Sequence, residues 1–404
     1  MVIGIIGGGA SGMAAALAAA ENEHVQVLLL ERQARLGRKL QATGNGRCNL
    51  TNMKTVKERY HGECADFAIP ALARFHVEDT LAWFADMGLY TVTAERSRVY
   101  PYSDQANSVV DVLRFALEKP NIQVMTGVEV TKVKKTTDGF LIETAEERYA
   151  CDKLIIACGG LAGTKLGGSM SGYKLLMKLG HHCTKLRPSL VQIKSDWPGC
   201  TSLKGVRTNC RAVIYRDECF YAASTGELQF TEYGLSGPVI FEISRDVCYE
   251  RGEWVCDLDF LPDLNKDILM RLMQEKRKMS LTADDLLTGI LHNRLGRVIV
   301  KEAGISGYVP IGQLEDWELK KVCDLVFGLQ IPLTEPMGMD SAQVTAGGIV
   351  TSEFDPGTME SKLVPGLYAC GEVLDIDGDC GGFNLQWAWS SGRLAGESAG
   401  KGSV

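Results

Sequence analysis

The sequence lacks any Cys-x-x-Cys pair, although 13 of its 404 residues are cysteines. Its six histidines also show no spacing typical of metal ligands. Scattered cysteines of this kind are typical of reduced thiols in the cytoplasm, and they argue against a disulfide framework and against a zinc site. We therefore expect no metal centre.

Basic charge is not in excess either. The chain has 43 Lys and Arg against 50 Asp and Glu, a net charge of −7, which makes nucleic acid, including an RNA substrate, a disfavoured partner. No apolar run is long enough to span a membrane, and the apolar N-terminal stretch lacks the positive region of a signal peptide. We expect a soluble, cytoplasmic protein that acts on a small-molecule substrate and contacts no membrane.

What the N-terminal stretch does contain is a dinucleotide-binding pattern. Residues 2–6 are an uninterrupted apolar run, typical of a strand buried in a parallel sheet. The glycines that follow are spaced for a tight turn at Gly7, close approach of a pyrophosphate at Gly9, and helix packing at Gly12. The next strand ends at Glu31, whose carboxylate is placed to bind the ribose hydroxyls. This spacing fits FAD and NAD equally well.

A polar, glycine-rich segment, residues 35–52, comes directly after this acid. It has neither a helical nor a strand period, so one interpretation is an ordinary surface loop. Its content of Gly, Arg and Asn at this position favours instead a loop folded over the cofactor. Arg38, Lys39 and Arg47 would then supply cations to the pyrophosphate.

Two later apolar strands also run into glycines. Residues 153–157 lead to Gly159 and Gly160, and residues 367–370 lead to Glu372. Strands of a parallel sheet present their carboxyl ends at one edge, where ligands bind. Both strands are therefore predicted to reach the cofactor.

A helix that begins at Gly381 and Gly382, after an acidic loop, distinguishes the two cofactors. The carboxylate of Glu372 is suited to the ribityl hydroxyls of a flavin. The helix N-terminus would supply amides and partial positive charge to the flavin edge that becomes anionic on reduction. NAD does not need this second anchor, so we predict FAD.

The middle of the chain has a different pattern. Residues 190–342 contain short β-type segments, Gly and Pro turns and amphipathic helices, which predict an insert of mixed structure. Within it, a capping box predicts a helix over 282–295. Before it, helical spacing predicts helix over 66–88, and the segments between 122 and 143 predict a meander of strands.

At this point the chain resembles a known group over its whole length. It is similar to the BaiN-type flavoproteins, also called the aminoacetone-oxidase-like FAD-binding family, which are NAD(P)/FAD-dependent oxidoreductases. The motifs that carry the resemblance are Gly7–Gly12, 37–39, 46–52, 98–101, 226–231, 234–238, 345–348, 358–362, 366–372 and 381–386. The segment 161–172 departs from the family's usual pattern.

The resemblance implies an α/β fold with a Rossmann-type FAD-binding domain built from both chain ends, residues 1–189 and 343–404. It further implies an inserted β-barrel-like domain, 190–262 with 309–342, and a helical subdomain, 263–308. Together with the motifs above, it implies FAD contacts at Gly7, Gly9, Ala10, Ser11, Gly12, Glu31, Arg32, Arg38, Lys39, Arg47, Cys48, Asn49, Val130, Ala157, Cys158, Gly159, Gly160, Gly371, Glu372, Asp375, Gly381, Gly382, Phe383, Asn384 and Leu385.

The family's activities imply two hypotheses, and the 13 cysteines leave a third, of another class, open. We favour a reductase, in which NAD(P)H visits transiently and flavin N5 delivers a hydride to a conjugated C=C bond of a steroid or bile-acid-like enone. The second hypothesis is an oxidase of small amines such as aminoacetone, which passes electrons to oxygen and forms hydrogen peroxide. The third is a non-catalytic FAD-binding protein that senses redox state.

The reductase needs one acid to protonate the α-carbon of the substrate. The candidates from the sequence are Tyr173, Tyr102, Tyr100 and His181. For each of them, a purely structural hydrogen bond is the alternative interpretation.

Overall fold

The structure is a computed structural model that describes residues 1–401. The chain divides into two compact units. The two-segment unit comprises Met1–Arg187 and the chain from Gln343 onward, and the inserted unit comprises Pro188–Ala342. Each unit has its own hydrophobic core.

The described residues form both β-strands and α-helices. The strands of residues 1–401 are β1 (Val2–Ile6), β2 (Gln26–Glu31), β3 (Thr51–Asn52), β4 (Tyr60–His61), β5 (Thr91–Thr93), β6 (Arg98–Pro101), β7 (Ile122–Thr126), β8 (Lys132–Thr136), β9 (Gly139–Glu143), β10 (Arg148–Cys151), β11 (Lys153–Ile156), β12 (Arg187–Ser189), β13 (Ile193–Lys194), β14 (Arg207–Arg216), β15 (Cys219–Thr231), β16 (Gly234–Ser236), β17 (Trp254–Asp259), β18 (Leu329–Leu333), β19 (Val344–Ala346), β20 (Leu367–Ala369) and β21 (Asp377–Gly378). The α-helices of the same residues are α1 (Ala10–Ala19), α2 (Arg38–Ala42), α3 (Ile69–Arg74), α4 (Val77–Asp86), α5 (Ala106–Ala116), α6 (Ser171–Lys178), α7 (Gly199–Ser202), α8 (Pro238–Tyr249), α9 (Lys266–Lys276), α10 (Asn293–Glu302), α11 (Asp316–Val326) and α12 (Phe383–Gly400).

The two-segment unit is built on a parallel sheet with the strand order β20-β11-β1-β2-β7. β1 lies between its neighbours, with Ile5 opposite Leu29 of β2 and Ile155 of β11. The apolar runs of these strands are buried, as expected for a parallel sheet covered on both faces. The predicted Rossmann-type α/β fold is confirmed. Because the strands are parallel, β1, β2, β11 and β20 end at the same edge of the sheet.

One strand of this sheet contradicts the prediction of a meander. β7 does not join the strands that follow it; it pairs in parallel with β2, with Val27 opposite Ile122. The antiparallel sheet has the order β10-β9-β8 instead. β7 is half-buried to exposed along its length, a pattern typical of any edge strand, so the sequence does not indicate which sheet it joins.

Helix α12 brings the C-terminal segment back to the N-terminal one. A methyl group on Gly392 would overlap the carbonyl oxygen of Ser11, and one on Gly396 would overlap that of Ala15. These glycines therefore allow the backbones of α1 and α12 to approach closely. The two chain segments share one core as a result.

The inserted unit contains an antiparallel sheet with the order β13-β16-β15-β14-β17-β18. Its two edges nearly meet, because Ile193 in β13 forms an isolated bridge with Pro336, shortly after β18. The amide of Lys194 donates to the carbonyl of Glu335 over 2.8 Å at the same place. The sheet is therefore nearly closed.

Two of the predicted helices are wrong in extent. The stretch 66–88 is divided at Phe75 into α3 and α4, because the backbone amide of His76 donates to Asp79 and the His76 side chain in turn caps α4. The stretch 282–295 forms only a 3-10 turn before α10 begins, since Gly289 lies at a φ of 83° and interrupts the helical backbone.

Helix α8 lies in a region where the sequence predicts short β-type segments. Pro238 occupies its first turn, where the missing amide costs nothing. Its buried Val239, Ile240 and Ile243 are β-branched residues that by themselves favour a strand. No helix in the described part of the chain is both long and apolar enough to cross a bilayer.

Candidate functional site

In the turn after β1, an added side chain would clash at Gly7 and at Gly12 but not at Gly9. Gly7 has a φ of 112°, and a methyl group on it would overlap the carbonyl oxygen of Ala157. One on Gly12 would overlap the carbonyl oxygen of Gly7. Among the described residues, a methyl group on Gly9 would meet no heavy atom within 4 Å. The turn therefore leaves space at Gly9, where α1 begins without a side-chain cap and its amides are available to an anion.

Glu31 lies beside this turn, as the sequence predicts for the ribose-binding acid. Its Oε2 accepts a hydrogen bond from the amide of Gly8 over 2.7 Å, and its Oε1 accepts one from the amide of Gln33 over 2.7 Å. The carboxylate is thus fixed at the end of β2. The neighbouring Arg32 donates to the carbonyl of Gly167.

The three cations of the glycine-rich segment point in different directions. Lys39 Nζ lies 2.9 Å from Oε2 of Glu372. Arg38 instead donates to the side chain of Gln33. Arg47 lies over the ring of Tyr100, 4.5 Å from its centroid. Lys39 therefore joins this segment to the end of β20, whereas Arg38 contacts Gln33 and Arg47 contacts Tyr100.

Cys48 and Asn49 occupy the inner side of the same segment. Cys48 is buried with a φ of 61°, and burial raises the pKa of its thiol to about 12. The buried Oδ1 of Asn49 has no hydrogen-bond partner among the described residues. It lies 3.0 Å from the position that a Cβ on Gly382 would occupy. An unpaired buried acceptor is costly, so its position indicates a missing donor at the start of α12.

The ends of β11 and β20 meet, as predicted. A methyl group on Gly160 would overlap Oε1 of Glu372 and the hydroxyl of Thr345. Glu372 Oε1 also accepts from the amide of Thr345 over 2.8 Å. Gly159 has a φ of 67° and, within residues 1–401, no heavy atom within 4 Å of its Cβ position. The strand ends are packed tightly at Gly160 and are open at Gly159.

Helix α12 begins at Phe383, after Gly381 and Gly382, whose φ values are 134° and 104°. In the described chain, no side chain caps this helix start. Asn384 fixes the preceding loop, since its Oδ1 accepts from the amide of Gly378 and its Nδ2 donates to the Gly378 carbonyl. The amides of an eighteen-residue helix are thus available to a ligand.

The other predicted contacts lie near these elements. Cys158, whose thiol also has a pKa raised to about 12 by burial, donates to the carbonyl of Ile6. The carboxylate of Asp375 accepts from the amide of Glu63. The remaining ones are Ala10 and Ser11 in the first turn of α1, the buried Val130 and Ala157, Gly371 after β20, the buried Phe383, and the half-buried Leu385.

These residues fit a dinucleotide with a flavin. One uncapped helix start lies at the glycine turn, where a pyrophosphate would bind, and a second lies at Gly382. The open positions at Gly9 and Gly159 and the unpaired Asn49 lie in the same unit. A flavin would supply the donor that Asn49 lacks, because N3 of its ring carries a hydrogen.

The candidate tyrosines are placed very differently. The Tyr173 hydroxyl donates to the carbonyl of Glu372 over 3.4 Å, and burial raises the pKa of this phenol well above 10.0. Tyr100 is buried under Arg47. Tyr102 is 77% exposed. Tyr173 and Tyr100 both contact predicted cofactor segments, and Tyr173 is a very weak acid.

His181 has both ring nitrogens engaged. Its Nδ1 lies 2.8 Å from Glu353, and its Nε2 lies 2.9 Å from the hydroxyl of Ser361. The ring is buried and stacked on Phe354 at 4.5 Å. This geometry is typical of a histidine that stabilises the fold.

One cluster beside the start of α12 is not predicted by the sequence. Oδ1 of Asp379 lies 2.7 Å from Nε2 of His61, and Oδ2 accepts from Arg59 over 3.0 Å. His61 and Asp379 are 318 residues apart in the chain. The local pattern contains no signal that would have found them, because a tertiary strand pair brings them together.

Comparison with known proteins agrees with this geometry. The family model described as HI0933-like protein Rossmann domain matches residues 1–398. The chain belongs to this family. The HI0933-like proteins form a Rossmann FAD-binding family that includes the BaiN-type and aminoacetone-oxidase-like flavoproteins, so the predicted resemblance is confirmed, and the cofactor is FAD.

Relatives of this HI0933-like chain have different names. The 3-dehydro-bile acid delta(4,6)-reductase of Clostridium scindens is 39% identical over 98% of both chains. The ribosomal RNA dihydrouridine synthase of Escherichia coli is 32% identical over 96% of this chain and 95% of its own. A flavocytochrome c3 fumarate reductase in its open conformation has the same fold, with a TM-score of 0.50 at 15% identity over 98% of this chain and 78% of its own.

Family, cofactor and relatives identify the chain as a FAD-dependent oxidoreductase. The expectation that it binds no nucleic acid stays a prediction, since one relative is named for a reaction on ribosomal RNA.

Proposed function

We propose that this flavoprotein reduces a C=C bond conjugated to a carbonyl group in a steroid-like enone of the bile-acid type, with NAD(P)H as the reductant. The observation that carries the proposal is the 39% identity, over 98% of both chains, to a protein named as a bile-acid delta(4,6)-reductase. This similarity extends through both units, including the inserted one.

FAD, when bound, supplies the hydride and accepts the electrons of NAD(P)H. The chain supplies binding and orientation. The start of α12 at Gly382 would direct its amides and partial positive charge at the pyrimidine edge of the ring. Glu372, held between Lys39 and the amide of Thr345, is placed to orient the ribityl hydroxyls.

A second candidate is the reduction of uracil to dihydrouracil in RNA, because one relative is a ribosomal RNA dihydrouridine synthase. The bond reduced in that reaction, C5=C6 of uracil, is also conjugated to a carbonyl, so the same chemistry would serve. The net charge of −7 favours the small substrate, since RNA binding relies on basic side chains at the phosphates.

The oxidase and the redox sensor are less supported. No relative reported above is named as an oxidase. A thiol-based sensor needs reactive thiolates, but burial raises the pKa of the Cys48, Cys158 and Cys370 thiols to about 12, which keeps them protonated at neutral pH.

The decisive experiment is anaerobic. The yellow holoprotein is mixed with NADH or NADPH, and the loss of flavin absorbance is followed. The reduced protein is then mixed with a 3-oxo-4,6-diene bile acid, with a uridine-containing fragment of ribosomal RNA, or with air. We expect bleaching by a nicotinamide cofactor and faster recovery with the bile acid than with air, together with a product that has gained two hydrogens.

Other outcomes reject the proposal in distinct ways. Recovery with the RNA fragment and not with the bile acid would establish the second candidate. Bleaching by aminoacetone with peroxide formed in air would establish an oxidase. Recovery with the bile acid after reduction by dithionite but not by NAD(P)H would reject the donor and retain the reaction.

A further inference from the structure

His61 is fixed to the segment from which α12 begins. It lies in β4, which pairs antiparallel with β21 so that His61 is opposite Asp377 and Tyr60 is opposite Gly378. The Tyr60 hydroxyl also donates to the carbonyl of Phe383, in the first turn of α12, over 3.2 Å. Two independent contacts therefore hold β4 at the helix start that is predicted to bind the flavin ring.

Asp379 determines which nitrogen of His61 carries a proton. Burial acts to raise the pKa of Asp379, but hydrogen bonds from His61 and Arg59 outweigh it, so that the pKa is lowered and the carboxylate is ionised. An ionised carboxylate accepts hydrogen bonds only. His61 Nε2 therefore carries the proton that faces Asp379, and Nδ1 is the ring nitrogen left to exchange a proton with a substrate.

The other acids near the cofactor segments are poorer proton donors. The phenol of Tyr173 has a pKa well above its usual range and is fully buried. His181 is buried with both nitrogens engaged. The His61 side chain, in contrast, is 31% exposed, so the water that would recharge it can reach it.

We propose that His61 is the proton donor of the reduction and that Asp379 is its positioning residue. This inference rests on the function proposed above. The reduced cofactor supplies a hydride, with both electrons, to the β-carbon of the enone. The electron pair of the C=C bond forms a new bond between the α-carbon and the proton of His61 Nδ1. The substrate thereby gains two hydrogens, the cofactor is oxidised, and neutral His61 takes a proton from water.

The test separates the two half-reactions. Holoenzyme is reduced with dithionite and mixed anaerobically with the 3-oxo-4,6-diene bile acid in a stopped-flow instrument. We expect His61→Gln to slow this reoxidation about 100-fold or more, the usual contribution of a general acid. Glutamine still donates a hydrogen bond to Asp379, so the FAD content and the rate of reoxidation by oxygen should equal those of the wild type.

Two further variants sharpen the test. His24→Gln, which replaces an exposed histidine, is the matched control and should keep the wild-type rate. Asp379→Asn should slow enone reoxidation about 10-fold, and it should also change the ¹⁵N chemical shifts of His61, which report the tautomer without any turnover. In the wild type those shifts should show the proton on Nε2.

Three results would overturn the inference. An H61Q enzyme that the enone reoxidises as fast as the wild type excludes His61 as the donor. A wild-type His61 protonated on Nδ1 alone excludes the role of Asp379. If the enone does not reoxidise the wild type either, the proposed function itself fails, and this outcome is distinguished from the first by the wild-type rate.

Discussion

Lys39 and Glu372 lie 333 residues apart in the chain, and their charged groups meet at 2.9 Å. Half-exposed ion pairs of this kind contribute little to stability. Glu372 also accepts from Thr345 and lies against Gly160, so the pair fixes a carboxylate where two strand ends meet. Its value is in positioning an acceptor for the cofactor.

Glu372→Gln should therefore weaken FAD binding more than it weakens the fold. A hydrogen bond to a charged acceptor contributes about 2 kcal/mol, equivalent to about 30-fold in the dissociation constant. The measurement is quenching of FAD fluorescence as apoprotein is titrated. Glu335→Gln, which removes the exposed partner of Lys194, is the control and should leave the affinity unchanged. Equal affinities for the two variants would exclude this role for Glu372.

His181 makes a prediction about pH. Burial lowers its pKa from 6.5, and the hydrogen bond that His181 donates to Glu353 opposes this only in part. The folded state then binds fewer protons than the unfolded state, so stability is complete above pH 6.5 and falls as the pH is lowered towards the folded-state pKa. His181→Gln should flatten the decline of the melting temperature between about pH 7 and about pH 5. The same slope in wild type and variant would contradict this.

At the residue scale, the sequence predicted cofactor contacts that belong to local motifs, such as Glu31 and Gly9, because spacing along the chain defines them. It could not predict the His61–Asp379 pair, which is formed by a strand pair between segments 318 residues apart. The same limit applies to Lys39: its charge was visible, but its partner was not.

The turn between β1 and α1 is the element on which the cofactor site depends. Its glycines have different functions, although the motif treats them alike. Gly12 is enclosed by the backbone of Gly7, whereas Gly9 faces open space among the described residues. Substitutions can therefore separate folding from binding.

Gly9→Ala should leave the apoprotein as stable as the wild type, because the added methyl group meets no described atom. It should weaken FAD binding about 10-fold or more by occupying space beside the pyrophosphate. Gly12→Ala should instead destabilise the apoprotein by about 2 kcal/mol, since its methyl group overlaps a backbone oxygen. Urea unfolding of the apoproteins and FAD titration measure both effects. A Gly9→Ala protein that is unstable without FAD would contradict this assignment.

A secondary-structure element could be predicted from the sequence where its pattern is compatible with only one kind of structure. The buried runs of β1, β2, β11 and β20 suit only a sheet covered on both faces. The predictions for β7 and α8 were wrong for physical reasons. An edge strand such as β7 pairs with whichever sheet edge is free. The β-branched segment that begins at Val239 becomes helical because Pro238 starts the helix and tertiary contacts bury it.

The whole molecule has two cores, and the site described here lies in one of them. The residues of the inserted unit's core all lie between Ile193 and Leu333. The predicted FAD contacts lie in the two-segment unit. FAD binding should therefore stabilise the two-segment unit more than the inserted unit.

Calorimetry of the apoprotein and of the holoprotein should show this. FAD at about 100 times its dissociation constant should stabilise the two-segment unit by about 2.7 kcal/mol. Hydrogen exchange should assign the shifted transition to peptides of β1 and α12, while peptides of β14 and β17 remain unchanged. Gly9→Ala is the control: with an affinity about 10-fold weaker, its stabilisation at the same FAD concentration should fall to about 1.4 kcal/mol. Equal protection of both sets of peptides would refute the independence of the two cores.

The contact of α1 with α12 also determines when the two-segment unit can complete its fold during synthesis. β20 and α12 leave the ribosome only after the whole inserted unit, which is continuous in the chain and is able to fold first. Until then, β11 has an unpaired edge and α1 an uncovered face, and at about 5–20 residues per second this interval lasts many seconds. The nascent chain therefore completes its cofactor site only after α12 has been synthesised, and until then it depends on protection from aggregation.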